Sequence, residues 1–192
     1  MKMHRLALVL AVAFVLASCG EKLADDRKCP RGTKLMGAAP PAGSEQWCQQ
    51  EDKRGHPVKD GPCLSWYEGH KDHAGQFRDG KEEGRWTWWH KNGRKSTEGE
   101  YRTGRLEGVW TTWYDNGQKH VEDRWRNGVQ DGQQTKWYTN GQLQMQGEWE
   151  RGRPVGRWAF RHKDGRELDE NDRKAMNRRP DLFFFEEEGS AQ

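Results

Sequence analysis

The sequence contains no isoleucine, and beyond its first 18 residues aliphatic side chains are sparse. Such a chain cannot build a large aliphatic core. It also lacks a strong charge of either sign. Its 33 Lys and Arg stand against 30 Asp and Glu, a formal net charge of +3. The charges are mixed along the chain, without the basic stripe that tracks a phosphate backbone. No nucleic-acid partner is expected. No apolar run reaches the roughly 20 residues of a membrane-spanning helix. The longest, LALVLAVAFVLA, covers Leu6 to Ala17. Glycine and tryptophan are abundant instead, at 23 and 11 residues.

The apolar run follows the basic MKMHR, and residues 1–18 together read as a signal peptide. The run ends in Leu-Ala-Ser-Cys, with Cys19 last. This resembles the bacterial lipobox. The resemblance implies that Cys19 is lipidated on sulfur and becomes the mature N-terminus, with residues 19–28 as a tether. Two or three acyl chains hold a protein stably on a membrane. The alternative is ordinary secretion with cleavage near Ser18. By resemblance to enterobacterial sorting, Gly20 after the cysteine does not favour inner-membrane retention, so an outer-membrane or periplasm-facing location is expected. Cleavage removes Lys2 and Arg5, so the net charge of +3 falls by two to +1.

Three cysteines remain: Cys29, Cys48 and Cys63. Export makes a disulfide plausible. Cys29 and Cys48 bracket a Pro- and Gly-rich segment, and closing such a loop is worth roughly 3 kcal/mol in the chain-entropy model. That pairing is preferred, although three pairings are open. The cysteines lack the paired close spacings of a zinc site. Residues 29–62 are accordingly read as an irregular, disulfide-containing segment.

From Gly75 the chain repeats. Four contiguous blocks, 75–98, 99–122, 123–146 and 147–170, share glycines, aromatic residues and an Asn-Gly or Asp-Gly pair in fixed order. A constant period of this size signals an array whose units bury their apolar faces against neighbours. Each block holds two short strands and two turns. Asn92-Gly93, Asn116-Gly117, Asn140-Gly141 and Asp164-Gly165 suit two-residue hairpin loops, because both central residues tolerate positive φ. The other turn, as in RTGRLEG, reads as longer. The fold class is therefore all-β: an elongated antiparallel meander of hairpin repeats, about 40 Å long from the spacing of neighbouring strands.

With Asn92-Gly93 as the loop, Lys91 pairs with Arg94, Trp86 with Gly99 and Gly84 with Tyr101. Gly108 then meets Trp125, and Gly132 meets Trp149. A ring across from a glycine can cover its bare backbone, so rings laid over glycines replace an aliphatic core. The register also sorts the faces. One carries Trp86, Trp88, His90, Tyr101, Trp110, Tyr114, Trp125, Tyr138, Trp149, Trp158 and Phe160. The other carries Arg85 across from Glu100, Thr87 across from Glu98 and Thr111 across from Glu122, with Trp89, Trp113 and Trp137.

The runs Gly-x-aromatic-x-x-Gly-x-x-x-Gly-x-Trp, such as Gly99, Tyr101, Gly104, Gly108 and Trp110, resemble the MORN repeat in its bacterial variant. The resemblance covers residues 75–170, with 63–74 as a degenerate half repeat. It implies an elongated single-layer sheet used for protein–protein contact and sometimes for phospholipid contact.

No catalytic constellation stands out. His70 and His73, three apart in EGHKDHAG, are read as part of a polar linker rather than a metal pair. His90 and His162 occupy a column filled elsewhere by Tyr114 and Tyr138, and read as packing residues. No metal, cofactor or enzymatic activity is expected. After the repeats, LDENDRKAMNRR reads as a short helix ahead of Pro180. Phe183, Phe184 and Phe185 then cap the array, ahead of an acidic tail; 171–192 form this last unit.

The expected function is a lipid-anchored interaction or scaffolding protein of the cell envelope. Its partner-binding face would comprise Trp86, Trp88, Tyr101, Trp110, Tyr114, Trp125, Tyr138, Trp149 and Trp158. Its partners would be the membrane, through the lipid, and envelope proteins, with self-association a further possibility. The alternatives are a cell-wall glycan binder, an antitoxin-like protein and a phospholipid-binding repeat. The last lacks the basic patch expected for anionic lipid.

Overall fold

The structure is a computed structural model that describes residues 29–169. Eleven strands form one open antiparallel sheet in chain order. They are β1 Lys34–Ala38, β2 Glu45–Glu51, β3 Pro57–Tyr67, β4 His70–Arg78, β5 Lys81–Trp89 and β6 Lys95–Arg102, then β7 Arg105–Trp113, β8 Lys119–Arg126, β9 Val129–Trp137, β10 Leu143–Glu150 and β11 Arg153–Phe160. This is the meander that the repeats predict. The signal peptide, Cys19, the helix placed ahead of Pro180 and Phe183–Phe185 lie outside the described residues.

Residues 29–62, read as irregular, instead supply β1, β2 and the start of β3, which extend the sheet at its edge. A bulge hides these strands from a pattern of alternation. Register shifts between Trp47 and Gln49, and Gly61 on the facing strand has φ +110°. Cys29 and Cys48 form a disulfide, the preferred pairing, and Cys63 is free and buried. His70 and His73, read as linker, lie in β4.

The two kinds of turn are reversed from expectation. The Gly93 amide donates to the His90 carbonyl at 2.9 Å, and the His90 amide donates to the Arg94 carbonyl at 2.8 Å. Lys91, Asn92 and Gly93 thus make a three-residue loop, closed by Gly93 at φ +81°. Within the repeats, the two-residue loops lie at the opposite ends of the strands. They are Asp79-Gly80, Thr103-Gly104, Asn127-Gly128 and Arg151-Gly152, in which every φ is positive. Asn92 is held by other bonds. Its Oδ1 accepts the Arg94 amide at 3.0 Å, an Asx-type turn, and its Nδ2 donates to the Asp115 carbonyl of the next repeat at 2.8 Å.

Lys91 therefore does not pair with Arg94, yet the body of the hairpin keeps the expected register. Trp86 meets Gly99 and Gly84 meets Tyr101. Two deviations cancel. The longer loop shifts the pairing by one, so Trp89 meets Lys95. The skipped residue Ser96 shifts it back, so Trp88 meets Thr97.

Candidate functional site

The register places two groups of rings on one face of the sheet. In the first, Trp86 is the centre, at only 3% exposure. Phe77 meets it edge-on at 5.1 Å, and His73 and Trp88 stack on it at 5.9 and 5.8 Å. Tyr101 and Trp110 continue the group, with Trp88–Trp110 at 5.8 Å and Tyr101–Trp110 at 5.0 Å. Such edge and offset contacts stabilise by about 0.5–1.5 kcal/mol per pair beyond area burial. The second group is Trp149, Trp158 and Phe160, with centroids 5.6 and 6.4 Å apart.

The indoles of Trp86, Trp110 and Trp158 each lie over a glycine, but on the strand before it rather than its own hairpin partner. A Cβ at Gly75, Gly99 or Gly147 would come within 2.2, 2.1 and 2.1 Å of the rings of Trp86, Trp110 and Trp158. The Trp86 and Trp110 indole N–H groups donate to the carbonyls of Gln76 and Glu100, at 3.2 and 3.1 Å. Glycine is required here for space, because no side chain fits beneath the ring.

Between the two groups the third repeat breaks the rule. Asp123 stands where the other blocks have glycine, and Gln134 where they have tryptophan. Gln134 Nε2 donates to Asp123 Oδ1 at 2.6 Å, and the Trp149 indole donates to Gln134 Oε1 at 3.1 Å. Burial pushes the Asp123 carboxyl above its ordinary range, and hydrogen bonds from Gln134 and Gln130 offset this only in part. Burial likewise lowers Lys136, which occupies the column of Trp88. Lys136, half-buried, in turn helps burial to lower His120. Trp125, half-buried, lies opposite Gly108 beside this polar gap.

Tyr114 and Tyr138 sit at the three-residue turns. Their hydroxyls donate to the carbonyls of Trp137 and Arg161, each at 2.9 Å, and His90 Nε2 meets the Trp113 carbonyl at 2.8 Å. This column joins successive repeats along one long edge. On the opposite face, Arg85 meets Glu100, Thr87 meets Glu98 and Thr111 meets Glu122. There Lys71, Lys95 and Lys119 lie over Trp89, Trp113 and Trp137 at 5.5 to 5.9 Å.

One cluster was not legible in the sequence. At the N-terminal end of the ring face, Glu45 on β2, Cys63 on β3 and His73 on β4 bring donor atoms within 4.8 Å of one another. The Cys63 thiol donates to Glu45 Oε1 at 3.1 Å, and Lys59 Nζ meets the same oxygen at 2.6 Å. Lys59 also lies over Trp47 at 5.0 Å and Phe77 at 5.2 Å. Burial alone would raise the Glu45 carboxyl, but the hydrogen bonds of Lys59 and Cys63 and the charges of Lys59 and His73 outweigh it and hold it low. Burial first, and Glu45 second, push the Cys63 thiol up to about 12. In that state the thiol is not an activated nucleophile.

A single sheet of stacked hairpins, ring-lined on one face and charged on the other, defines a β-hairpin repeat array. The family model for the MORN repeat variant matches residues 106–127 and 130–150. Repeats of this family are generally protein- or membrane-interaction modules and typically non-enzymatic. No curated protein matches the chain.

Proposed function

We propose that the protein is a non-enzymatic, lipid-anchored scaffold of the cell envelope that captures another envelope protein on its ring face. One observation carries this reading. Trp88, Tyr101, Trp110, Trp125, Trp149 and Trp158 remain only half-buried in a single-layer sheet, and among the described residues no second layer covers them. Half-buried ring surface of this kind, in two patches on one face, marks an interaction site in a soluble domain. The N-terminal strands support the reading, because they lengthen the sheet instead of folding over the rings. Lipidation at Cys19 would fix one end at a membrane, outer-membrane or periplasm-facing, and no cofactor is required.

The test is photo-crosslinking in cells. A crosslinking residue replaces Trp125 on the ring face, or Val109, which is 47% exposed on the charged face. One distinct protein crosslinked from position 125 and absent from 109 supports the scaffold. Crosslinks to glycan, to phospholipid or within the chain alone would refute it. Fatty-acid labelling that survives Cys19→Ser would refute the anchor.

A further inference from the structure

We propose that Glu45, Cys63 and His73 form a mononuclear site for a borderline-soft divalent cation, with zinc the best chemical match. The donor set is one carboxylate oxygen, one thiol sulfur and one imidazole nitrogen, the ligand types zinc takes in tetrahedral sites. The three atoms already lie within 4.8 Å of one another. They come from three adjacent strands of one sheet, so the backbone fixes their separation.

The surroundings fit ligation as well as the donors do. His73 Nδ1 lies 2.7 Å from Asp72 Oδ2. A carboxylate on one ring nitrogen fixes the tautomer and leaves Nε2 as the ligand, the usual arrangement around metal-bound histidine. His73 is further held flat against Trp86, with an interplanar angle of 25°. Cys63 is 4% exposed, whereas the Glu45 and His73 side chains are 31% and 26% exposed. The sulfur would thus sit at the base of the site, and the ion would enter past the two exposed ligands. Lys59 competes for Glu45 Oε1. A carboxylate has a second oxygen, so Lys59 keeps an acceptor when Oε1 turns to the cation. Binding releases the Cys63 proton to solvent, after which the two anionic ligands and Asp72 balance Lys59 and a divalent ion. Three protein ligands leave a fourth position open, to water or to a donor from a docked partner.

The experiment uses the full-length chain carrying Cys19→Ser, which leaves Cys63 as the free thiol, purified without reductant and titrated with cobalt(II). Expected are one bound equivalent, a sulfur-to-cobalt charge-transfer band, quenching of tryptophan fluorescence through Trp86, and displacement by zinc. Cys63→Ser abolishes the band. Asp72→Asn, a positioning change, keeps the stoichiometry and weakens binding by roughly 10–100-fold. If Cys63→Ser fails to fold by circular dichroism, His73→Gln carries the test: the side chain is 26% exposed and glutamine keeps a polar side chain of similar reach, and the change should abolish tight binding. Absence of the band in the folded protein overturns the site, as does a band that persists unchanged in His73→Gln.

Discussion

The third repeat offers a sharp test of how rings and glycines hold this sheet. Two substitutions convert it to the pattern of its neighbours: Asp123→Gly and Gln134→Trp. Each is expected to harm the protein alone. With Asp123 in place, an indole at 134 would meet a Cβ where its counterparts at Gly75, Gly99 and Gly147 leave only 2.1 to 2.2 Å. The ring must leave its rotamer, at a cost of about 1–3 kcal/mol. With Gln134 in place, Asp123→Gly strips the 2.6 Å bond from a half-buried amide and adds a glycine to a strand. That costs about 1–2 kcal/mol. Together the two changes remove both defects and join the separated ring groups, at the loss of the Trp149 indole's bond to Gln134. The double variant should be about as stable as the parent, with a coupling energy of about 2–5 kcal/mol. The assay is a double-mutant cycle from urea midpoints, read by circular dichroism so that the new tryptophan does not confuse the signal. Additive losses would refute the reasoning, because the paired exchange would then be two independent accidents.

Other expectations follow from the same geometry. Gly75→Ala, beneath Trp86, should destabilise by about 3 kcal/mol or more, whereas Gly108→Ala, with nothing within 4 Å, should cost only the roughly 1 kcal/mol of a left-handed φ; equal urea midpoints would contradict this. Asn116→Ala loses the bond to the Gln118 amide and the bond to the Thr139 carbonyl, each 2.9 Å, and should cost about 1–2 kcal/mol by the same measurement. Removing the disulfide with Cys29→Ser and Cys48→Ser should lower stability by roughly 3 kcal/mol, and an unchanged midpoint would show that β1 is not held by it. Asp123 sets a pH dependence. Its folded-state pKa lies above the ordinary 3.8, so the penalty on its ionised form is absent below that value and grows as pH rises through the folded pKa. Asp123→Asn should therefore gain on the parent as pH is raised from acid to neutral; a pH-independent difference would count against burial as the cause.

The repeat period carried the fold into the open because every block restates it. The meander and the hairpin register at Trp86 and Gly84 follow from periodic glycines and rings. That register survived a wrong turn assignment because the bulge at Ser96 compensates for the three-residue loop at Lys91–Gly93. Neither device has a strong local signature, since Asn-Gly serves both loop types: Asn92-Gly93 in the longer loop and Asn127-Gly128 in the shorter. The N-terminal strands escaped for a different reason: the register shift at Cys48 and the positive φ of Gly61 disrupt alternation where the disulfide meets β2. Asp123 and Gln134 do carry a sequence signal, because each departs from the residue its column holds in the other three blocks. The Glu45, Cys63 and His73 cluster could not be read at all. Its members lie 18 and 10 residues apart, and only strand pairing across β2, β3 and β4 brings them together.

Both long edges of the sheet are laced from one repeat to the next. Along one, Asn92, Asn116 and Asn140 reach the carbonyls of Asp115, Thr139 and Lys163. Along the other, the amides of Gly104, Gly128 and Gly152 reach those of Glu82, Leu106 and Gln130. Bending the array within its plane would have to stretch one lacing while compressing the other. Within its own plane the laced sheet therefore resists bending toward either edge.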